Sequence, residues 1–176
     1  VARGDLAVEV GPAKVPGLQK MIIRKCNEVG KPVIVATQML ESMIHAPVPT
    51  RAEVSDVANA IFDGADAVML SEETTLGSFA VEAVQVMQNV AREAEGTIGT
   101  HRRHKVRTND IVDSVSSSVV HNAEDVGAMV IVALTETGST ARMVARYRPQ
   151  QPVIAFTPHE QVLRQLLLSY GCYPFI

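Results

Sequence analysis

Short apolar runs alternate along this chain with longer segments whose apolar residues recur every three to four positions. The run at 32–36 is too apolar to be half exposed, which predicts a strand of a covered parallel sheet; 67–70 reads as another buried strand, and 129–134 and 152–156 as two more strands. Helical spacing appears first in Leu18, Met21, Ile22, Cys26 and Val29, with Lys20, Arg24, Lys25 and Glu28 opposite and Gly30 as a C′ stop. Residues 38–44 read as a short helix closed by Pro47 and Pro49, and Thr50-Arg51-Ala52-Glu53 as a capping box. That box opens a helix through Val54, Val57, Ala58 and Ile61 to Gly64, and Val81, Val84, Met87, Val90, Ala91 and Ala94 mark the buried face of another over 79–95. Further on, Thr108 or Asn109 caps a helix carrying Val112, Val115, Val119 and Ala123. Two shorter helices follow, one with Ala141, Val144 and Ala145 stopped at Pro149, the other with Val162, Leu163, Leu166 and Leu167. Residues 6–10 alternate only weakly before a loop marked by Gly11, Pro12 and Pro16, and 173–176 begin a further strand. Such alternation is the signature of the α/β class.

Composition narrows the function classes. Of 176 residues 47% are hydrophobic and 20% charged, which excludes global disorder. A net charge of −3, with no Trp, 3 Tyr and 4 Phe, offers neither a basic face nor stacking platforms, so no nucleic-acid partner is expected. Cys26 and Cys172 have no metal or redox spacing and read as reduced thiols of a cytoplasmic protein. No apolar run reaches membrane-spanning length, so no membrane partner is expected either. The segment 96–108 is basic and glycine-bearing and reads as a solvated connector. Three parts are therefore expected: 1–98, a linker at 99–108, and 109–176. With its first residue, Val1, already inside an apolar run, the chain is expected to be a piece of something longer, cut at both ends.

Candidate chemistry lies where apolar runs give way to polar residues, because ligands of parallel α/β folds bind at the carboxyl ends of the strands. Val1-Ala2-Arg3-Gly4-Asp5 and Val33-Ile34-Val35-Ala36-Thr37 share that grammar, so Asp5 and Thr37 are expected to face one site. A carboxylate behind glycine suits a hard divalent cation, although a lone loop Asp is more often a turn or cap residue. In the second half, the stretch containing Thr135, Glu136, Thr137, Gly138, Ser139 and Thr140 carries hydroxyls and backbone donors. It reads either as a phosphate pocket or as a well-capped helix N-terminus.

Several blocks in register resemble pyruvate kinase: Val1-Ala2-Arg3-Gly4-Asp5-Leu6, Lys31-Pro32-Val33-Ile34-Val35-Ala36-Thr37-Gln38-Met39-Leu40-Glu41-Ser42-Met43, Pro49-Thr50-Arg51-Ala52-Glu53, Asp63-Gly64-Ala65-Asp66-Ala67-Val68-Met69-Leu70-Ser71 and Ala145-Arg146-Tyr147-Arg148-Pro149. The resemblance implies the last three strand-helix units of a TIM-type (β/α) barrel, followed by a truncated three-layer α/β regulatory domain. It implies phosphoryl transfer from phosphoenolpyruvate to ADP, giving pyruvate and ATP, in a cytoplasmic homotetramer under allosteric control. Carried over, Asp5 would be a ligand of Mg²⁺ (or Mn²⁺) and the backbone at Ala2, Arg3 and Gly4 would receive the substrate carboxylate. Thr37 would hydrogen-bond the substrate near the face where the enolate is protonated, and Arg51 would lie near a neighbouring subunit.

Departures from the family pattern carry expectations of their own. Ser71-Glu72-Glu73-Thr74 stands where the family has Ser-Gly-Glu-Thr, and Thr75-Leu76-Gly77 lacks the usual lysine, so nucleotide binding is not transferred to that loop. Glu136 stands where members activated by sugar bisphosphates carry lysine; Thr135, Thr137, Ser139 and Thr140 then suit a phosphorylated effector other than fructose bisphosphate. The family's catalytic lysine, second metal carboxylate and K⁺ ligands would lie upstream of Val1, so the isolated chain is expected to be inactive. The alternatives are a stand-alone phosphate-effector module built on the 135–140 loop and an assembly module that associates through exposed apolar faces.

Overall fold

The structure is a computed structural model that describes residues 1–98 and 110–176. They fall into two compact units, one drawn from Val1–Lys25 with Val33–Gly99, the other from Cys26–Pro32 with Thr100–Ile176. The basic run through His101, Arg102, Arg103, His104, Lys105 and Arg107, and the expected caps Thr108 and Asn109, lie outside the described residues.

In the first unit the opening apolar run is reduced to a parallel bridge between Ala2 and Ala36, with Ala36 N–H donating to Val1 O at 3.0 Å. Helix α1 (Arg3–Val10) starts at once and takes in residues 6–10, whose weak alternation gave no sign of a helix. A 3-10 turn at Pro12–Lys14 leads into α2 (Val15–Glu28), earlier than its apolar spacing indicated. Pro16 fits there because first-turn N–H groups need no intrahelical partner. The expected apolar face of α2 is corrected too: Met21 and Val29 are exposed, whereas Gln19, Ile23 and Asn27, at i, i+4 and i+8, are buried.

Strand β1 (Ile34–Ala36) pairs in parallel with β2 (Ala67–Met69), Val35 opposite Val68. β2 is not the buried strand expected: Ala67 and Val68 are half-buried and Met69 exposed, β1 being its one strand neighbour among the described residues. Instead of a helix over 38–44 there is a 3-10 turn at Glu41–Ile44, because Thr37 and Gln38 adopt positive φ values of 70° and 53° that no right-handed helix contains.

The capping box forms as read. Thr50 Oγ1 accepts the Glu53 N–H and the Glu53 carboxylate accepts the Thr50 N–H, opening α3 (Arg51–Asp63), which ends at left-handed Gly64. A short helix α4 (Glu72–Thr75) follows β2, then α5 (Ala80–Ile98), packed against α3. On α5 the buried positions are Ala83, Met87 and Ala94, while Val81 and Val84 face outward. Met87 and Ala94 are buried as expected; the misplaced positions are the two valines at the start, read inward in place of Ala83 because alanine is a weak hydrophobic marker.

The second unit is a parallel three-stranded sheet in the order β3 (Ile131–Leu134), β4 (Val153–Phe156), β5 (Cys172–Phe175). Helices α6 (Ile111–Asp125), α7 (Ser139–Ala145) and α8 (Glu160–Leu166) connect and cover it. The core gathers Val120, Ile131, Ala133, Val144, Val153 and Leu166. Asp110 caps α6 by accepting the Val112 N–H. The expected face of α6 is corrected in part: Ala123 is buried as expected, but Val112 and Val115 are exposed and Asp113, Ser116 and Val120 are buried. Asp113 turns inward because Arg146 and the Tyr147 hydroxyl both engage its carboxylate; Arg146 also donates to Glu28 O at 2.9 Å. On the other face of the sheet Val132, Leu134, Phe156, Tyr173 and Phe175 remain exposed, so the described residues supply two of three layers.

Candidate active site

The chemistry-bearing residues of the first unit converge where β1 ends and α1 begins. Helix α1 supplies first-turn N–H groups, of which the Gly4 N–H donates to Thr37 Oγ1 at 2.8 Å. The Thr37 hydroxyl in turn donates to Ala36 O at 2.6 Å. A Cβ on residue 4 would lie 3.6 Å from Thr37 Oγ1, an ordinary contact, so glycine here keeps open the space beside the N–H rather than relieving a clash.

Arg3 shapes the opposite side of the same turn. It is 8% exposed. Its Nε and Nη2 donate to Thr37 O at 3.1 and 3.0 Å, Nη2 also donates to Gln38 O, and Nη1 pairs with Asp56 Oδ2 at 2.9 Å.

Beside this junction a cavity of about 160 Å³ is lined by residues that include Gly4, Thr37, Glu41, Ser71 and Glu73. Glu73, 2% exposed, spans its wall. One carboxylate oxygen accepts the Leu40 N–H at 3.0 Å and the other the Ser71 N–H at 2.7 Å, which ties the loop after β1 to the loop after β2. Gly77 makes the close approach possible: a Cβ there would lie 2.3 Å from Glu73 O and 3.3 Å from Ile44 Cα. Glu53 adds a second tie, accepting the Ser42 N–H at 2.7 Å and the Ser42 hydroxyl at 2.5 Å. Burial opposes ionisation of Glu53, but the hydrogen bonds from Ser42 and Thr50 outweigh it and hold the carboxyl below the ordinary carboxylate range.

The structure therefore brings Ala2, Arg3, Gly4 and Thr37 together. Asp5 is exposed in the first turn of α1, and Arg51 is exposed at the start of α3. No group of three or more His, Cys, Asp or Glu placed to hold a metal occurs among the described residues. Sequence reasoning passed over the Arg3 side chain, Asp56 and Glu73. The available signals were an arginine between small residues at a strand end, and a second acid ahead of a glycine that brooks no side chain.

In the second unit Thr135 is buried, its N–H donating to Phe156 O, while Thr137, Ser139 and Thr140 are exposed. Left-handed Gly138 is the N-cap of α7, with no side-chain cap; Thr137 Oγ1 accepts the Ser139 N–H at 3.4 Å. A cavity of about 500 Å³ at these strand ends is lined by Leu134, Thr135, Glu136, Phe156, Thr157, Pro158 and Ile176, and Glu136 pairs with His159 at 3.0 Å.

Residues 1–84 match the profile of the pyruvate kinase barrel domain, and residues 113–176 that of the pyruvate kinase alpha/beta domain. The chain belongs to the pyruvate kinase family. It is 52% identical to a pyruvate kinase of Clostridium acetobutylicum over 100% of its own length and 38% of that protein's, and 51% identical to one of Bacillus licheniformis over 98% and 30%. A crystal structure of a pyruvate kinase from Cryptosporidium parvum superposes with a TM-score of 0.95 at 46% identity, covering 100% of this chain and 37% of that one. The chain thus spans roughly a third of the pyruvate kinases it matches. No described helix is long and apolar enough to cross a membrane.

Proposed function

We propose that this chain supplies one wall of a pyruvate kinase active site, in which a phosphoryl group passes from phosphoenolpyruvate to ADP and the enolate left behind is protonated to pyruvate. The observation that carries the reading is the Gly4 N–H on Thr37 Oγ1 at the amino end of α1. First-turn N–H groups that have no intrahelical partner, beside a hydroxyl, form a seat for a carboxylate. A substrate carboxylate at Ala2, Arg3 and Gly4 takes over the Gly4 N–H and leaves the Thr37 hydroxyl directed at the three-carbon unit. Phosphoryl transfer depends mainly on positioning and electrostatics, so a rigid turn of this kind contributes by holding the substrate in line.

Divalent-metal chemistry fits these residues only in part. Asp5 offers one exposed carboxylate, and a Mg²⁺ site is commonly completed by one or two carboxylates plus substrate phosphates. Mg²⁺ or Mn²⁺ held through Asp5 would supply charge neutralisation for the phosphoryl group; the described residues of this chain do not form a full site. K⁺ dependence, cytoplasmic location, a homotetramer with Arg51 near a subunit boundary, and the 99–108 linker between domains belong to the same proposal. So does a phosphorylated effector on Thr135, Thr137, Ser139 and Thr140, with Glu136 disfavouring a bisphosphate there by charge repulsion.

The test is a chimera in which these 176 residues replace the matching segment of the Clostridium acetobutylicum enzyme. Pyruvate formation from phosphoenolpyruvate and ADP is expected, with a loss of 100-fold or more in kcat/KM on Asp5→Ala, on the order of one lost electrostatic contact in a transition state. A chimera that folds like its parent yet forms no pyruvate, or one indifferent to Asp5→Ala, overturns the proposal. The 176-residue chain by itself is expected to form none.

A further inference from the structure

Two consecutive residues at the end of β1 are left-handed without being glycine, Thr37 at φ 70° and Gln38 at φ 53°. For a β-branched threonine that conformation is a true outlier, and each such residue costs about 1–3 kcal/mol unless its surroundings over-determine it. The turn directs the carbonyl groups of both residues to one place, and what meets them is the buried guanidinium of Arg3. Three of its hydrogen bonds end on Thr37 O and Gln38 O, and Nη1 is held by Asp56. On the other side of the turn, Thr37 Oγ1 sits between the Gly4 N–H and Ala36 O. The guanidinium thus holds the carbonyls of the turn itself, while the hydroxyl ties the carbonyl just before it to the amino end of α1.

We infer that the Arg3 side chain is a positioning residue for Thr37: it spends its donors on the Thr37–Gln38 turn, holds that turn left-handed, and thereby fixes the Thr37 hydroxyl over the amino end of α1 without touching substrate. The requirement is for a planar fork. Arginine presents five N–H donors in fixed geometry, whereas lysine is a point charge on a flexible stem and cannot hold two carbonyls and a carboxylate together. The inference deepens the kinase reading and rests on it for its catalytic consequence.

Two measurements separate the inference from that reading. In the 176-residue chain, amide hydrogen exchange at Gly4 reports the N–H bound to Thr37 Oγ1, with no substrate involved. Both Arg3→Lys and Arg3→Met are expected to accelerate it at least tenfold while amides of α3 keep their protection. In the chimera, the same variants are expected to raise KM for phosphoenolpyruvate about tenfold and leave KM for ADP unchanged. A merely structural role would instead lower kcat with both KM values intact. Wild-type Gly4 exchange in Arg3→Met, or a fall in kcat alone, overturns the inference. If the chimera carrying Arg3 is itself inactive, the kinase reading fails, and the Gly4 exchange still decides what Arg3 does.

Discussion

Replacing Glu53 with Gln tests how far one carboxylate stabilises the first unit. Its two oxygens accept the Ser42 N–H and hydroxyl and the Thr50 N–H and hydroxyl, at 2.5–2.8 Å. Glutamine keeps the shape but has one acceptor oxygen; in the place of Oε2 that oxygen keeps three of the donors, and the NH₂ then confronts the Ser42 N–H. A hydrogen bond to a charged group contributes about 1.5–3 kcal/mol when shielded and far less when wet. The Ser42 pair is partly buried and the Thr50 pair exposed, which leaves a net loss of about 1–2 kcal/mol. For a unit of this size that lowers Tm by roughly 5–10 °C. The pH dependence has a definite sign. The folded-state pKa of Glu53 is depressed, so its contribution is complete above the unfolded value of about 4.3 and disappears as pH falls through the folded value. Thermal melts followed by circular dichroism should show Glu53→Gln below wild type at pH 7, with the gap closing as pH falls through the depressed folded-state value. Equal melting at pH 7, or a gap undiminished in acid, would refute the reasoning.

Two further substitutions probe packing. Gly77→Ala drives a methyl to within 2.3 Å of Glu73 O, so the backbone of one loop must shift at a cost of about 2–3 kcal/mol; a change under about 0.5 kcal/mol in urea titration would show that the two loops are not in fixed contact. Asp113→Ala leaves buried Arg146 without its carboxylate and should destabilise the second unit by about 3–5 kcal/mol, while an unshifted urea midpoint would contradict the buried pair. All 3 tyrosines, Tyr147, Tyr170 and Tyr173, belong to that unit, so tyrosine fluorescence isolates its transition.

What was legible in the chain was local or strongly periodic. The capping box at Thr50 and Glu53 needs only four consecutive residues, and the cores of β1 and β4 are unbroken apolar runs. Helix α1 was not legible, because Arg3-Gly4-Asp5-Leu6-Ala7-Val8-Glu9-Val10 has no apolar stripe. The buried faces of α5 and α6 were legible in part, at Met87, Ala94 and Ala123; elsewhere alanine, serine and a paired aspartate occupy inward positions that valines on the surface outshine. Asp5 and Thr37 were expected to face one site; the structure joins Thr37 to Gly4, the residue before Asp5, and leaves Asp5 exposed in the first turn of α1. The left-handed turn was hidden, since it depends on an arginine 34 positions earlier in the chain. The Glu73 strut was hidden for the same reason: its partner Leu40 lies 33 residues away.

The bare side of the β3–β4–β5 sheet sets a limit on how the second unit behaves in water. Register places Leu134, Phe156 and Phe175 in one row and Val132, Ile154 and Tyr173 in the next, with the two phenyl rings 5.8 Å apart. Each side chain moved from solvent to a packed interior is worth about 1.5–3 kcal/mol. Whatever surface settles on these rows will therefore raise the melting point of the unit. Left uncovered, they should take up apolar dyes and make the protein's solubility depend on its concentration.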